Sequence, residues 1–303
     1  MSPVPPQKKI KIQGRFAGQW ADLLSVFLNR RVAVMGAIIF LTIIFIAITA
    51  QWIAPHDPTN QELIDNLLPP SWDKNGLAKY LLGTDHFGRD MLSRLLFGAR
   101  VSLTVAGLGA CFALLLGMTI GLFAGFYGGI VETILMRIVD VFLAFPLILL
   151  ALSLAAILGP NLRNLVIVMG LTGWMMYARV IRSAVLILRN LEFISAAIAV
   201  GAPTHRILLR HVLPNIVAPA LVLFTFNFAQ FIIMESALSF LGLGVPPPTP
   251  TWGRMLYDGR DYLTIAWWMI TFPGLCIMLT ALSLNLVGDG LRDALDPRIR
   301  RMA

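Results

Sequence analysis

The sequence predicts an all-α polytopic membrane protein with six transmembrane helices, and three observations predict it. Of 303 residues, 57% are hydrophobic and only 13% charged, with a mean hydropathy of +0.78, outside the range of soluble domains. Apolar runs recur that are long enough, at a helical rise of about 1.5 Å per residue, to cross a hydrocarbon core of about 30 Å. The basic residues stand at the ends of these runs, so the formal charge of +8 reflects membrane topology. Nucleic-acid binding is not indicated, because no surface of interleaved aromatic and basic residues occurs.

Residues 32–54 contain no charge and form the first span. Lys8, Lys9, Lys11, Arg15, Arg30 and Arg31 precede it, which places the tail 1–31 in the cytoplasm by the positive-inside rule. The first long apolar run comes late and has no small-residue cleavage site, which fits an anchor better than a signal peptide. Residues 55–100 are polar, with nearly balanced charges, and form an outer, periplasmic segment. Residues 101–290 hold five more spans. The second, 101–123, carries Gly117 and Gly121, with Gly125 just beyond, and glycines at this spacing form a groove for a neighbouring backbone. The third, 134–158, has Arg137 and Asp140 paired at i and i+3. The fourth, 163–178, is short and continues through Arg179 and Arg182 as a helix projecting into the cytoplasm. The fifth is 216–237, an irregular Gly- and Pro-rich outer segment follows, and the sixth is 262–288. A basic cytoplasmic tail, 291–303, ends the chain, so both termini lie inside. On this topology 16 of the 24 Lys and Arg fall on the cytoplasmic side.

Catalytic and metal chemistry find no constellation. Cys111 and Cys276 lie inside apolar runs, the four histidines are scattered over both sides, and no serine has a partner set. No Gly-rich phosphate loop ending in Gly-Lys-Ser/Thr occurs, so the chain does not hydrolyse ATP by itself.

One long polar interruption, residues 190–215 (NLEFISAAIAVGAPTHRILLRHVLPN), divides the second half of the chain. It predicts a helix capped by Asn190, a stop at Gly201, and a second helix through residues 207–213 with Pro203 in its first turn; Pro214 re-enters the next span. By itself such a loop would also suit a basic amphipathic connector on the lipid surface. The spacing Ser195-Ala196-Ala197, Gly201, Leu213-Pro214 resembles the EAA loop of permease subunits of binding-protein-dependent ABC importers, with Ser195 in place of the glutamate that names the motif. Four further stretches, LLGTDHFGRDMLSRLLFGARVSL, MRIVDVFLAFPLILLAL, SALSFLGLGVPPPTPTWGRML and WWMITFPGLCIMLTALSLNLVGDGLRDALDPR, are similar to the C-type permease subunit of the dipeptide, oligopeptide and nickel importers. Together with the loop they make up about two fifths of the chain and are spread from residue 81 to residue 298.

The resemblance implies a type I ABC importer permease fold in the bacterial inner membrane. It also implies a heterodimer with a B-type permease, two ATPase subunits holding ATP and Mg, and an extracytoplasmic binding protein that delivers cargo. No cofactor is implied on this chain. The ATPase-coupling element would then comprise Ser195, Ala196, Ala197, Gly201, Ala202, Pro203, His205, Arg206, Arg210, Leu213 and Pro214. The cargo would be a di- or oligopeptide, with nickel or another small solute as the alternative. Asn227, Gln230 and Glu235 are taken to share one face of the fifth span, where they either line the pathway or hydrogen-bond between helices. An ion-coupled secondary transporter is the rival class; it would be expected to show interrupted helices at matching positions of two halves and ionisable groups near the midplane.

Overall fold

The computed structural model describes residues 25–295; the tails 1–24 and 296–303 lie outside the described residues, and so does what the sequence led us to expect of them. The bundle is built, in chain order, of α1 (Arg31–Ile53), α2 (Met91–Tyr127), α3 (Gly129–Leu143), α4 (Leu147–Leu158), α5 (Leu162–Arg189), α6 (Glu192–Ala199), α7 (Thr204–Ile207), α8 (Leu213–Phe240), α9 (Trp252–Gly259) and α10 (Trp268–Leu295). Among the described residues no strand forms beyond an isolated bridge between Thr84 and Asp90. α1, α2, α5, the continuous run Thr204–Phe240 and α10 are each long and apolar enough to cross a membrane. α3 and α4 make the sixth span only as a pair bent by 88°.

The spans differ from the sequence expectation where charges find partners. The outer segment expected at 55–100 ends at Asp90, whose side chain accepts from the Ser93 N–H at 2.9 Å and so caps α2. Arg94, inside that helix, is tolerated because it is paired. Its guanidinium lies 3.4 Å from Asp85 and 3.5 Å from Asp258, and Arg89 binds the same two carboxylates at 2.6 and 3.2 Å. Arg254 completes the group at 2.9 Å from Asp258. This buried cluster ties the outer segment to α2 and α9. Nearer the surface Lys79 donates to Glu62 at 2.6 Å, which holds that carboxyl below its usual range.

The third span is not the continuous helix expected at 134–158. Pro146 has no N–H to donate and disfavours a helical residue before it, so the chain breaks at 144–146. The Arg137–Asp140 pair does not form. Asp140 instead takes Arg179 of α5 at 2.7 Å, and Glu132 takes Arg182. α5 continues through Arg179 and Arg182 to Arg189, as the sequence predicts, and those pairings hold its charged end. The sixth span starts at Trp268 rather than Tyr262, because residues 260–262 make a separate 3-10 turn.

α2 and α5 run side by side in the same direction. A Cβ on Gly121 would stand 2.6 Å from the Ala178 carbonyl oxygen, and one on Gly125 would stand 2.8 Å from that of Arg182. Gly117 faces the Trp174 carbonyl just as closely. The glycine groove is therefore filled within the chain, as small residues in membrane helices allow. α1 is peripheral and buries only small residues, Ala33, Gly36, Ala47 and Ala50; Phe40 meets Phe228 of α8 edge-on at 5.8 Å.

Gly121→Leu forces α2 from α5, an overpacking that costs about 1–3 kcal/mol or more. The expected outcome is a several-fold loss of monodisperse protein in size-exclusion chromatography of membrane extracts, with Gly274→Ala, inside α10 with open space around it, as the control. A Gly121→Leu protein recovered at the wild-type level would place the groove away from α5. Asp258→Asn leaves three guanidiniums around one carboxylate, and breaking a buried ion pair costs about 3–5 kcal/mol. Thermal unfolding of the purified protein should show a clearly lowered midpoint for Asp258→Asn and little change for Asp261→Asn, whose partner Arg260 is exposed.

Candidate functional site

Residues 190–215 form the loop that connects α5 to α8, built as a short helix, a turn and a helix that merges with the span. Asn190 does not cap α6. It ends α5, its N–H bonded back to Ile187, while Leu191 occupies the cap of α6 without a side-chain bond. The side chain is not needed there because Glu192 in the first turn already favours the positive end of the helix dipole.

The stop at Gly201 has the geometry the sequence predicts. Gly201 has φ +74°, its N–H donates to Ile198 at 3.0 Å, and the Ala202 N–H donates to Ala197 at 3.1 Å. These two bonds make a Schellman ending, which needs a left-handed residue that glycine adopts without strain. Pro203 then stands at the cap of α7 with φ −67°, one position before the first turn.

The second helix is neither separate nor regular. α7 widens into a π-turn over Leu208–Val212 and passes directly into α8, so Pro214 marks no new segment. The widening has a local cause: Pro214 cannot donate to the Arg210 carbonyl, and the Asn215 side chain donates to the His211 carbonyl at 2.6 Å.

Apolar side chains mount this loop on the bundle. Ile194, Ile207, Leu208 and Val212 are buried against Leu122 of α2 and Ile181 and Val185 of α5. The opposite face is open: Ser195, Ala196, Gly201, Pro203, His205, Arg206 and Arg210 are exposed, with Ala197, Ala202 and Leu213 half-buried and Pro214 exposed. Among the described residues neither Arg206 nor Arg210 has an ion-pair partner. Val200, 83% exposed, and Leu209, 62% exposed, add apolar contact area beside them. Sequence reasoning left out both the mounting residues and these two. The signal for the former was the spacing of Ile207, Leu208 and Val212, hidden by the wide turn.

Asn227, Gln230 and Glu235 do not share a face. At about 100° per residue Gln230 and Glu235 lie about 140° apart, and the structure separates them accordingly. Glu235 is fully buried, accepting from Ser102 of α2 at 3.1 Å and from Ser239 at 2.8 Å. The same Ser102 oxygen accepts from the Trp252 N–H at 3.2 Å, so Glu235 ties α8 to α2 and α9 and lines no open path. Asn227 is buried toward Gly173 of α5, and Gln230 alone is exposed.

Between α3 and α5, at the same end of the bundle, lies a cavity of about 710 Å³. It holds both cross-helix ion pairs, Glu132–Arg182 and Asp140–Arg179, together with Arg137 and Thr133. No group of three or more His, Cys, Asp or Glu with metal-binding geometry occurs among the described residues.

Comparison with known proteins agrees with this arrangement over almost the whole chain. Residues 117–301 match the family described as binding-protein-dependent transport system inner membrane component, and residues 18–70 match the N-terminal TM domain of oligopeptide transport permease C. The chain is 45% identical over 277 residues to a di/tripeptide transport system permease protein of Pseudomonas aeruginosa, covering 91% of each. It is 45% identical over 275 residues to the dipeptide transport system permease protein of Escherichia coli K12, covering 91% of this chain and 92% of that one. A third relative, from Alkalihalophilus pseudofirmus, is 40% identical over 300 residues. Among solved structures, an inward-facing form of the MetNI methionine ABC transporter superposes with a TM-score of 0.55 at 18% identity, covering 68% of this chain and 98% of that one, which establishes a shared fold. The chain therefore belongs to the family of inner-membrane permease components of binding-protein-dependent transport systems.

Proposed function

We propose that this protein is one of two different permease subunits in an ATP-driven importer of di- or oligopeptides, and that the turn at Gly201 receives the movement of a cytoplasmic ATPase. The peptide cargo is supported by relatives named for dipeptide or di/tripeptide transport that match over nine tenths of both chains. In this reading a B-type permease supplies the other half of the pathway, and an extracytoplasmic binding protein delivers the cargo. Two ATPase subunits hold ATP and Mg. Nickel or another small solute is the alternative cargo. An ion-coupled carrier is less well supported: the interrupted α3–α4 pair has no matching break in a second half among the described residues.

The observation that carries the coupling role is the build of the loop. One face is anchored by Ile194, Ile207, Leu208 and Val212, and the other offers Arg206, Arg210, Val200 and Leu209 to a partner. Two guanidiniums without partners among the described residues suit acidic groups on an ATPase, an attraction that salt weakens at a Debye length of about 8–10 Å. Because α7 runs directly into α8, a displacement of the turn reaches the span without a joint at Pro214.

Gly201→Val places a β-branched residue at φ +74° and removes the turn that aims α7. In the reconstituted importer complex the expected result is normal membrane insertion with substrate-stimulated ATP hydrolysis and uptake reduced at least about tenfold, a factor equal to about 1.4 kcal/mol of coupling. Wild-type stimulation in that variant would remove the loop from the mechanism. The orientation is tested separately in a background without Cys111 and Cys276. Asn75→Cys should react with an impermeant thiol reagent from the periplasmic face and Thr204→Cys from the cytoplasmic face; reaction of both from one face would contradict six spans with both termini inside.

A further inference from the structure

The faces that α1 and α10 leave uncovered are apolar: Val32, Met35, Ile38, Leu41, Phe45 and Ile48 on the first, with Leu275, Met278, Leu279 and Leu282 on the second. The surface between α3 and α5 is different in kind. Its cavity holds three guanidiniums and two carboxylates. Each carboxylate is taken by an arginine of the facing helix, Glu132 by Arg182 and Asp140 by Arg179. Arg137, which the sequence would have paired with Asp140, is left exposed, and no ion pair or hydrogen bond of its side chain occurs among the described residues. The cavity thus carries one uncompensated positive charge.

A second observation bears on what lies beside it. α3 and α4 are about 22 and 18 Å long, and at 88° their ends lie about 30 Å apart, so the pair crosses a hydrocarbon core only as an open V. The apex, residues 144–146, is exposed and non-helical, and in a spanning V it falls within the hydrocarbon core. Irregular backbone at that depth is stable where it is covered by protein or lines a watered cavity, and is not found facing lipid. One turn of α3 separates the apex from Asp140, the nearest cavity residue. The charged cavity between α3 and α5 therefore adjoins the unwound stretch, whose own exposed side chains, Phe145 among them, are apolar; the polar surface is the cavity itself.

We propose that this surface is the cytoplasmic vestibule of the translocation pathway, and that Arg137 there holds the carboxylate of the cargo before release. The inference rests on the peptide-importer reading above and deepens it. A volume of about 710 Å³ falls within the range of about 300–1,000 Å³ typical of small-molecule sites. A guanidinium presents a planar fork that matches a carboxylate. Asp140, already held by Arg179 but half-exposed, offers its second oxygen to an ammonium group. A zwitterionic chain is thus met at both ends, and the contacts are independent of its side chains.

The test uses the full importer complex in inside-out vesicles, with Cys111 and Cys276 replaced and Thr133→Cys introduced as a reporter. Thr133 lines the cavity, and its hydroxyl bonds only to the Gly129 carbonyl of its own helix. An impermeant thiol reagent is added on the cytoplasmic face with either dialanine or dialanine amide, which bypasses the binding protein. The expected result is that dialanine slows labelling and the amide does not. Arg137→Gln should raise the dialanine concentration needed about tenfold, as loss of a charge-assisted hydrogen bond implies, and Arg137→Lys should recover part of the protection. Equal labelling with and without dialanine overturns the proposal. So does protection that follows phosphatidylglycerol in the vesicles irrespective of peptide, which would make a lipid phosphate the occupant. ATP-driven peptide uptake by the same complex is measured in parallel in right-side-out proteoliposomes, with ATP inside and the binding protein outside. Uptake without protection removes the vestibule site alone, whereas absence of uptake of any peptide removes the importer reading itself.

Discussion

The close approach of α2 and α5 is the contact on which the rest of the loop end depends. In a bilayer no hydrophobic force drives helix against helix, so association rests on how tightly backbones pack, and Gly117, Gly121 and Gly125 let α2 meet the carbonyls of α5 directly. Because the two helices run in the same direction, the seam also brings Leu122 beside Ile181 and Val185. Those three side chains make the floor on which Ile194, Ile207 and Val212 of the loop are seated. A loop with few polar ties to the bundle is thereby held in one orientation by burial alone, at roughly 1.5–3 kcal/mol for each large apolar side chain.

Asp258, Glu132 and Asp140 each take an arginine from another element, although Arg254 also pairs with Asp258 along α9. Asp85 and Asp258, from opposite ends of the sequence, share Arg89 and Arg94; Glu132 and Asp140 of α3 are taken by Arg182 and Arg179 of α5. A pair at i and i+3 on one helix contributes only about 0.2–0.5 kcal/mol. A guanidinium on a facing helix gains the same attraction and fixes the helix spacing as well, so Asp140 turns from Arg137 to Arg179. The exception is informative for that reason: a lone arginine among satisfied pairs is a place where a further anion fits.

Run length and charge made the number of spans legible, and Gly201 made the turn legible, because only a residue without Cβ adopts that φ freely. What stayed hidden was governed by tertiary partners. Arg94 argued for an outer loop until Asp85 and Asp258 were beside it. Pro146 stood in plain view, but the apolar residues on both sides of it made 134–158 look like one helix. Glu235 suggested a pathway because an isolated intramembrane carboxylate usually has a function; its hydroxyl partners Ser102 and Ser239 lie 133 and 4 residues away, and only the second is near in sequence. The wide turn at Leu208–Val212 was unforeseeable in type, although its cause, the missing N–H of Pro214, was present.

These ties make α8 a connecting rod between the two faces of the bundle. At one end it is continuous with α7 and the loop, and near the other Glu235 binds Ser102, which in turn binds the backbone of α9. Its two weak points, the wide turn and Pro219, both lie toward the loop. The stretch from Ala220 to Phe240 is unbroken helix without an internal proline. Since Glu235 is fully buried, breaking its bonds would strand a polar group without a partner, at a cost of about 1–3 kcal/mol or more. In the coupling proposed above, a load that moved α8 would therefore draw Ser102 and α9 with it, and with α9 the outer segment bound by the buried arginine cluster.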